Sequence, residues 1–232
     1  MADPNLNWLM AVHDQGFAII PGLLALVDLD PLIAELSEPE LPRSRAGVRH
    51  AMRFPCVRAL ARDERLLGMA RRVLGNSALP FKATMFDKSP TANWLVAWHQ
   101  DTAVPLKQQC DIPEWGPWSV KDGVTYAHAP ASALGKILAL RVHLDDSTLE
   151  NGPLRVLPGT HELGVMTDNA IHELSTKIQP VECPVAQGGV LAMRPLIVHA
   201  SSKSLVDYPR RVLHIEYAET VEIAEGLELA DA

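Results

Sequence analysis

The segment Trp98-His99-Gln100-Asp101 sets an imidazole and a carboxylate two residues apart. On an extended strand side chains alternate between faces, so His99 and Asp101 project together while Gln100 points the other way. A ring nitrogen and a carboxylate oxygen held side by side can take two adjacent positions around one metal ion, and a third ligand completes a facial set. Two histidines and one carboxylate leave three positions open, the arrangement with which non-haem Fe(II) oxygenases take up an oxidisable cosubstrate and O2 together. An isolated His-X-Asp also occurs as a surface pair or around a satisfied core histidine. His199 strengthens the metal reading. It lies in Leu196-Ile197-Val198-His199-Ala200-Ser201, a strand-like run after the Gly188-Gly189 turn, and a second sheet segment can bring it beside the first pair.

Arg210 opens the next strand-like run, Arg211 to Tyr217. There Leu213, Ile215 and Tyr217 share one face, and Arg210, Val212, His214 and Glu216 share the other. If the apolar face packs on helices, Arg210 points inward, where its guanidinium can hold the distal end of a dicarboxylate through two charge-assisted bonds. The same periodicity also accommodates a solvated Arg210-Arg211 pair after Pro209.

These side chains need a frame. Leu6, Leu9, Met10 and His13 share one face at helical spacing, with Pro4 suited to a first turn and Gly16 to a stop. A strand over Phe17–Ile20, a helix over about 23–36, a polar connector over 37–49 that contains Arg43 and Arg45, and an amphipathic helix over about 58–74 follow. Beyond residue 79 short alternating segments dominate, at 137–144, 154–157, 178–183, 190–193, 197–200 and 211–218. In the first of these Leu138, Leu140, Val142 and Leu144 alternate with Ile137, Ala139, Arg141 and His143, giving one apolar face and one that carries cations. The 34 residues 102–135 hold Trp115, Trp118, Tyr126, His128 and four prolines without a sustained period, and read as a long loop acting as a lid. The expectation is a single α+β domain over residues 1–232, mainly β, in which N-terminal helices brace a double-sheet barrel of the jelly-roll or cupin type.

Composition narrows the partners. The chain has 232 residues, 21 basic and 28 acidic side chains, a net charge of −7 and 47% hydrophobic residues. That suits one globular domain and disfavours a nucleic-acid or anionic-membrane surface. No apolar run approaches the roughly 20 residues of a membrane helix, and the N-terminus lacks a signal-peptide pattern, so a cytoplasmic location and a small-molecule partner are expected. Cys56, Cys110 and Cys183 are odd in number and widely spaced, which suits reduced thiols.

Taken in order and spacing, the WHQD segment, the stretch from Asp145-Asp146-Ser147 through Asn151-Gly152-Pro153-Leu154-Arg155-Val156-Leu157-Pro158-Gly159-Thr160-His161, His199 with Ser201, and Arg210 resemble the phytanoyl-CoA dioxygenase-like family of Fe(II)/2-oxoglutarate oxygenases. The similarity runs from Gly16-Phe17 to about Ala218. It implies a double-stranded β-helix, Fe(II) bound by His99, Asp101 and His199, and 2-oxoglutarate held by Arg210 with Ser201 assisting and Thr84 lining the cosubstrate site. The implied reaction consumes O2 and 2-oxoglutarate, releases succinate and CO2, and oxidises a C–H bond of a small molecule, with hydroxylation as the usual outcome. Because Asp101 fills its ligand position, halogenation is not implied. Epimerisation, desaturation and ring closure use the same ligands.

One position departs from the family pattern. Relatives often carry a Trp near the cosubstrate where this chain has Arg141, which is expected to meet the cosubstrate, an acidic substrate group or a structural acid. The insertion before it separates the chain from acyl-CoA-hydroxylating members. Trp115, Trp118, Tyr126 and His128, with Lys121 and Asp122, are the substrate-side candidates, and Arg45 is a candidate to reach the cosubstrate region from the connector. Lys82 and Lys88 read as exposed lysines flanking a strand, and His161 as a structural hydrogen-bonding residue. Two rival readings stay open: a cupin-like metal-dependent isomerase or hydrolase, which does not need Arg210, and a non-catalytic small-molecule binding barrel.

Overall fold

The computed structural model describes residues 4–38, 47–89 and 92–232. Its helices are α1 (Pro4–Asp14), α2 (Leu26–Leu36), α3 (Pro55–Ala61), α4 (Glu64–Leu74), α5 (Ala131–Leu134) and α6 (Asp168–Lys177). Its strands are β1 (Phe17–Ile20), β2 (Gly47–Val48), β3 (Leu79–Lys88), β4 (Val96–His99), β5 (Ala103–Leu106), β6 (Trp118–Lys121), β7 (Val124–His128), β8 (Ile137–His143), β9 (Leu154–Val156), β10 (Val181–Cys183), β11 (Val190–Met193), β12 (His199–Ser201), β13 (Arg210–Ala218), β14 (Glu222–Ala224) and β15 (Leu227–Glu228). A six-stranded sheet in the order β1-β11-β8-β13-β3-β2 and a four-stranded sheet in the order β10-β9-β12-β4 make the two layers of a double-stranded β-helix. Among the described residues no helix is long and apolar enough to cross a membrane.

The larger sheet separates two interiors. On β8, Leu138, Leu140 and Val142 join Leu29, Leu32, Leu36, Leu66 and Ala70 of α2 and α4 in the main core, together with Leu213, Ile215 and Tyr217 of β13. Ala139, on the opposite face of β8, packs instead with Leu154, Val156, Leu191 and Met193 between the two sheets. Arg141 and His143 share that inward face by parity, as do Arg210, Val212, His214 and Glu216 on β13. All seven positions of β8 are buried, so the cations of its polar face lie within the barrel.

Where a single helix was expected over 58–74 there are two. Asp63 stops the first and caps the second, its side chain accepting the Arg65 backbone N–H at 2.9 Å, while the Arg65 guanidinium grips the same carboxylate at 2.9 and 2.7 Å. The larger correction concerns residues 102–135. They are an antiparallel sheet in the order β5-β7-β6 followed by α5, with Trp115, Val104, Leu106 and Ala127 packed in a second apolar cluster with Phe81, Leu196, Ile223 and Leu229. Lys121 pairs with Val124 across Asp122-Gly123, both at positive φ (49° and 82°), a two-residue hairpin turn of the type that Asp-Gly favours. Strands of four and five residues are too short to show a period, and that dipeptide was the available signal.

The Asn-Gly-Pro turn has a mechanical role. The Asn151 side chain donates to Asp146 O at 2.7 Å and accepts from the Thr148 N–H at 2.8 Å, closing the turn on itself. Gly152 follows at φ +69°, where an added Cβ would stand 2.3 Å from Ser202 O. Gly152→Ala is therefore expected to destabilise the fold by about 2 kcal/mol or more, measured as a fall in denaturation midpoint. An unchanged midpoint would show that the Ser202 strand end can retreat.

Candidate metal centre and its two chambers

β4 and β12 lie side by side with His99 directly opposite His199. The chain leaves β4 into Asp101, whose backbone N–H donates to Pro195 O at 2.9 Å. Three side chains from two distant stretches thus meet at one sheet edge. Nδ1 of His99 lies 2.9 Å from Ala97 O, and Nδ1 of His199 lies 2.9 Å from Ile197 O. A carbonyl only accepts, so Nδ1 carries the proton in both rings and each Nε2 presents a lone pair. The Asp101 oxygens are 3.6 Å from Nε2 of His99 and 3.5 Å from Nε2 of His199, and the three ligand atoms lie within 4.8 Å of one another. Such separations are long for hydrogen bonds. They approach the roughly 3 Å that two ligands about 2.1 Å from one ion subtend at a right angle.

Protonation suits the same purpose. Burial pushes the His199 pKa down to about 3, so that ring is neutral. Burial raises the Asp101 carboxyl, but His199, His99 and His214 outweigh it and hold the pKa well below the usual carboxylate range. A neutral buried imidazole and an ionised carboxylate are the forms a metal ion needs.

Beside this set is a pocket walled by Phe86, Trp94, Val96 and Leu154, into which Lys88, Arg141, Arg210 and Ser201 point. All three cationic residues are buried. Lys88 Nζ donates to Ser201 Oγ at 2.9 Å and to Ser202 O. Arg141 Nη1 donates to His214 Nδ1 at 3.0 Å, and its guanidinium lies 5.2 Å from the centre of the Phe86 ring. Among the described residues, Nε of Arg141 and Nε of Arg210 are buried without a hydrogen-bond partner, as are both ring nitrogens of His143. Burial lowers the Lys88 pKa to about 7, with help from Arg210 and Arg141, and burial and then Arg141 lower that of Arg210 to about 9. Buried cations without counter-charge are costly, so the pocket is built for an anion. This fits the dicarboxylate 2-oxoglutarate.

On the other side of the ligands opens a cavity of about 300 Å³. Three of the sequence candidates, Lys121, Tyr126 and His128, line it. Trp115 and Trp118 are not among its lining residues; they pack into the apolar cluster beneath the β5-β7-β6 sheet, where large rings anchor short strands that have little core of their own. Thr84 lines this cavity, whereas Arg141 lines the Arg210 pocket. Arg45 lies outside the described residues.

Sequence reasoning missed two lysines. Lys82, Thr84, Phe86 and Lys88 alternate along β3, and the pairing of β3 with β13 sets Lys88 opposite Arg210 and Lys82 opposite Glu216. Neither lysine is exposed. Parity with Thr84 was the signal that could have found both. Lys82 Nζ meets Glu216 Oε1 at 2.7 Å, and His214 Nε2 meets the same oxygen at 3.1 Å. Because arginine only donates, His214 Nδ1 accepts from Arg141 and its Nε2–H donates to Glu216. A buried polar chain, Lys82–Glu216–His214–Arg141, therefore joins the two chambers behind the metal ligands.

The family model described as Phytanoyl-CoA dioxygenase (PhyH) matches residues 12–212. L-proline trans-4-hydroxylase of Streptomyces griseoviridis is 28% identical over 190 residues, covering 70% of this chain and 62% of that protein. Ectoine dioxygenase of Sphingopyxis alaskensis is 23% identical over 215 residues, covering 83% of this chain and 62% of that protein. The chain thus spans under two thirds of the length of these curated relatives. The solved structure of EctD from S. alaskensis with bound Fe superposes with a TM-score of 0.71 at 18% identity, covering 97% of this chain and 79% of that one. The epimerase SnoN in complex with Fe3+, alpha ketoglutarate and nogalamycin RO gives 0.69 at 19% identity, covering 93% and 84%. With the family model matching most of its length, the chain belongs to the phytanoyl-CoA dioxygenase family.

Proposed function

We propose that this protein is an Fe(II)- and 2-oxoglutarate-dependent dioxygenase that hydroxylates an unactivated C–H bond of a small molecule and releases succinate and CO2. The observation that carries the reading is the pocket of three buried cations, Lys88, Arg141 and Arg210, abutting a His2Asp facial set. A metal-dependent isomerase or hydrolase can use the same three ligands without needing Arg210. His99, Asp101 and His199 would hold Fe(II), which when bound couples the oxidative decarboxylation of 2-oxoglutarate by O2 to substrate oxidation. Arg210 would take the distal carboxylate of 2-oxoglutarate through its fork, with Ser201 Oγ and Lys88 Nζ completing the cradle. Arg141, fixed by His214 and Phe86, supplies further positive potential at the position where relatives often carry Trp. The β5-β7-β6 sheet walls the opposite side and keeps water from the substrate. Three free cysteines support a reducing, cytoplasmic setting.

The direct test is succinate formation from 2-oxoglutarate by the purified protein with Fe(II), ascorbate and air. No succinate under any substrate panel would leave the reading without support. Lys88 adds a pH signature. Its ammonium titrates near 7 in the ligand-free pocket, and a bound dianion favours the charged form. Binding of 2-oxoglutarate should take up a proton and weaken as pH rises above 7, by up to about tenfold per pH unit. The folding sign is separate: the depressed pKa means that the unfolded chain holds this proton longer, so the Lys88 contribution to stability rises from pH 7 towards 10.5. Calorimetry from pH 6 to 8, below the Arg210 pKa of about 9, should show the affinity trend in the parent and a flat profile in Lys88→Met. A flat parent profile would remove Lys88 from the cradle.

A further inference from the structure

The chamber on the open side of the metal ligands has a charge pattern that the reading above does not use. It holds about 300 Å³, the lower end of the range for small-molecule sites. Arg49, Lys82 and Lys121 reach it from three separate stretches: the residue after β2, strand β3 and strand β6. Lys82 is answered by Glu216. Arg49 and Lys121 have no ion-pair partner among the described residues. Among the residues lining the chamber Asp101 is the one carboxylate, and it belongs to the metal set.

The aromatic ring between these cations is held in place. Tyr126 is buried, its hydroxyl lies 3.0 Å from Nε2 of His50, and the two rings are stacked. Lys121 Nζ stands 4.6 Å and Lys82 Nζ 5.9 Å from the centre of the Tyr126 ring. A lysine that serves only solubility extends into water, away from like charge. Lys121 is instead partly desolvated and faces Lys82 and Arg49, and burial followed by those two charges lowers its pKa. Convergent cations at a cavity mouth, drawn from distant parts of the chain, attract and orient an anion.

We propose that the substrate is a small organic anion whose charged group sits between Arg49 and Lys121 beside the Tyr126 ring, with the body of the molecule directed toward the metal ligands. Thr102 Oγ1 and His128 Nδ1, 2.7 Å apart on the same wall, offer hydrogen-bonding partners to that body. A neutral or cationic substrate leaves the partly desolvated Lys121 without a counter-charge. This assignment rests on the oxygenase reading, and its test separates the two.

The protein is loaded with Zn(II), which supports no turnover, saturated with 2-oxoglutarate and titrated calorimetrically with matched acids and primary amides: N-acetyl-L-proline and N-acetyl-L-prolinamide, cyclohexanecarboxylate and its amide, benzoate and benzamide, with phenyl phosphate as the phosphate arm. At least one anion should bind about tenfold or more tightly than its amide or, for phenyl phosphate, than phenol, and lose about tenfold or more in Arg49→Ala and in Lys121→Ala. Lys121→Arg should keep the affinity and Lys121→Glu should abolish it. No anion-selective binding anywhere in the panel, or anion binding indifferent to both alanine variants, overturns the proposal. In parallel, succinate is measured with Fe(II). A protein that turns over 2-oxoglutarate but binds amides as well as acids refutes the anionic substrate alone. One that yields no succinate in any condition refutes the oxygenase reading instead.

Discussion

Asp101→Ala is expected to remove iron binding and succinate formation together, with turnover down at least about a thousandfold. The carboxylate is the one anionic member of the set, and the two that remain are the His99 and His199 imidazoles. Loss of a partner that merely orients a ligand typically costs 10- to 100-fold, and loss of a ligand exceeds that. The fold should survive the change. The backbone N–H of Asp101 still donates to Pro195 O, and the side chain makes no hydrogen bond to the sheet framework. Iron content after desalting, succinate yield and thermal midpoint measured on one preparation check the three statements. Iron retained at parental stoichiometry, with turnover within tenfold of the parent, would show that the oxidant is held elsewhere.

Much of this centre was legible because its residues obey strand parity. Arg210 shares a face of β13 with His214 and Glu216, and the apolar partners Leu213, Ile215 and Tyr217 fall opposite, where helices cover them, while Asp101, just past the end of β4, still meets His99. The period of two is a local property, and a local reading recovers it. What escaped is set by pairing between distant strands. Lys88 looks solvent-exposed until β3 is laid against β13 and sets it opposite Arg210. The 102–135 sheet escaped for a different reason: each strand is four or five residues long, and the information lies in the Asp122-Gly123 turn and in cross-strand partners rather than in any run of hydrophobicity. The tryptophans there were legible as anchors or as substrate contacts; Trp115 is buried in the apolar cluster and Trp118 is partly buried against it. The fold class, by contrast, follows from element order, which residue types and turns already specify.

Arg210→Met should move activity and stability in opposite directions. In the ligand-free protein the guanidinium is buried, its Nε lacks a partner, and burial together with the Arg141 charge lowers its pKa to about 9. Removing such a charge in favour of a side chain of similar length relieves desolvation, so the thermal midpoint without ligand should rise, by the equivalent of about 1 kcal/mol or more. The same change takes away the fork that would meet the distal carboxylate of 2-oxoglutarate. Truncating one partner of a buried charge pair costs about 2–5 kcal/mol, which predicts a KM for 2-oxoglutarate higher by about a hundredfold and the loss of its stabilising effect on the protein. Arg210→Lys retains a charge without the planar two-point geometry and should fall between the two. A residue kept for the fold gives the reverse pattern, with stability lost on substitution. If Arg210→Met melts lower than the parent and binds 2-oxoglutarate as well, the cationic pocket serves the scaffold and the cosubstrate must bind elsewhere.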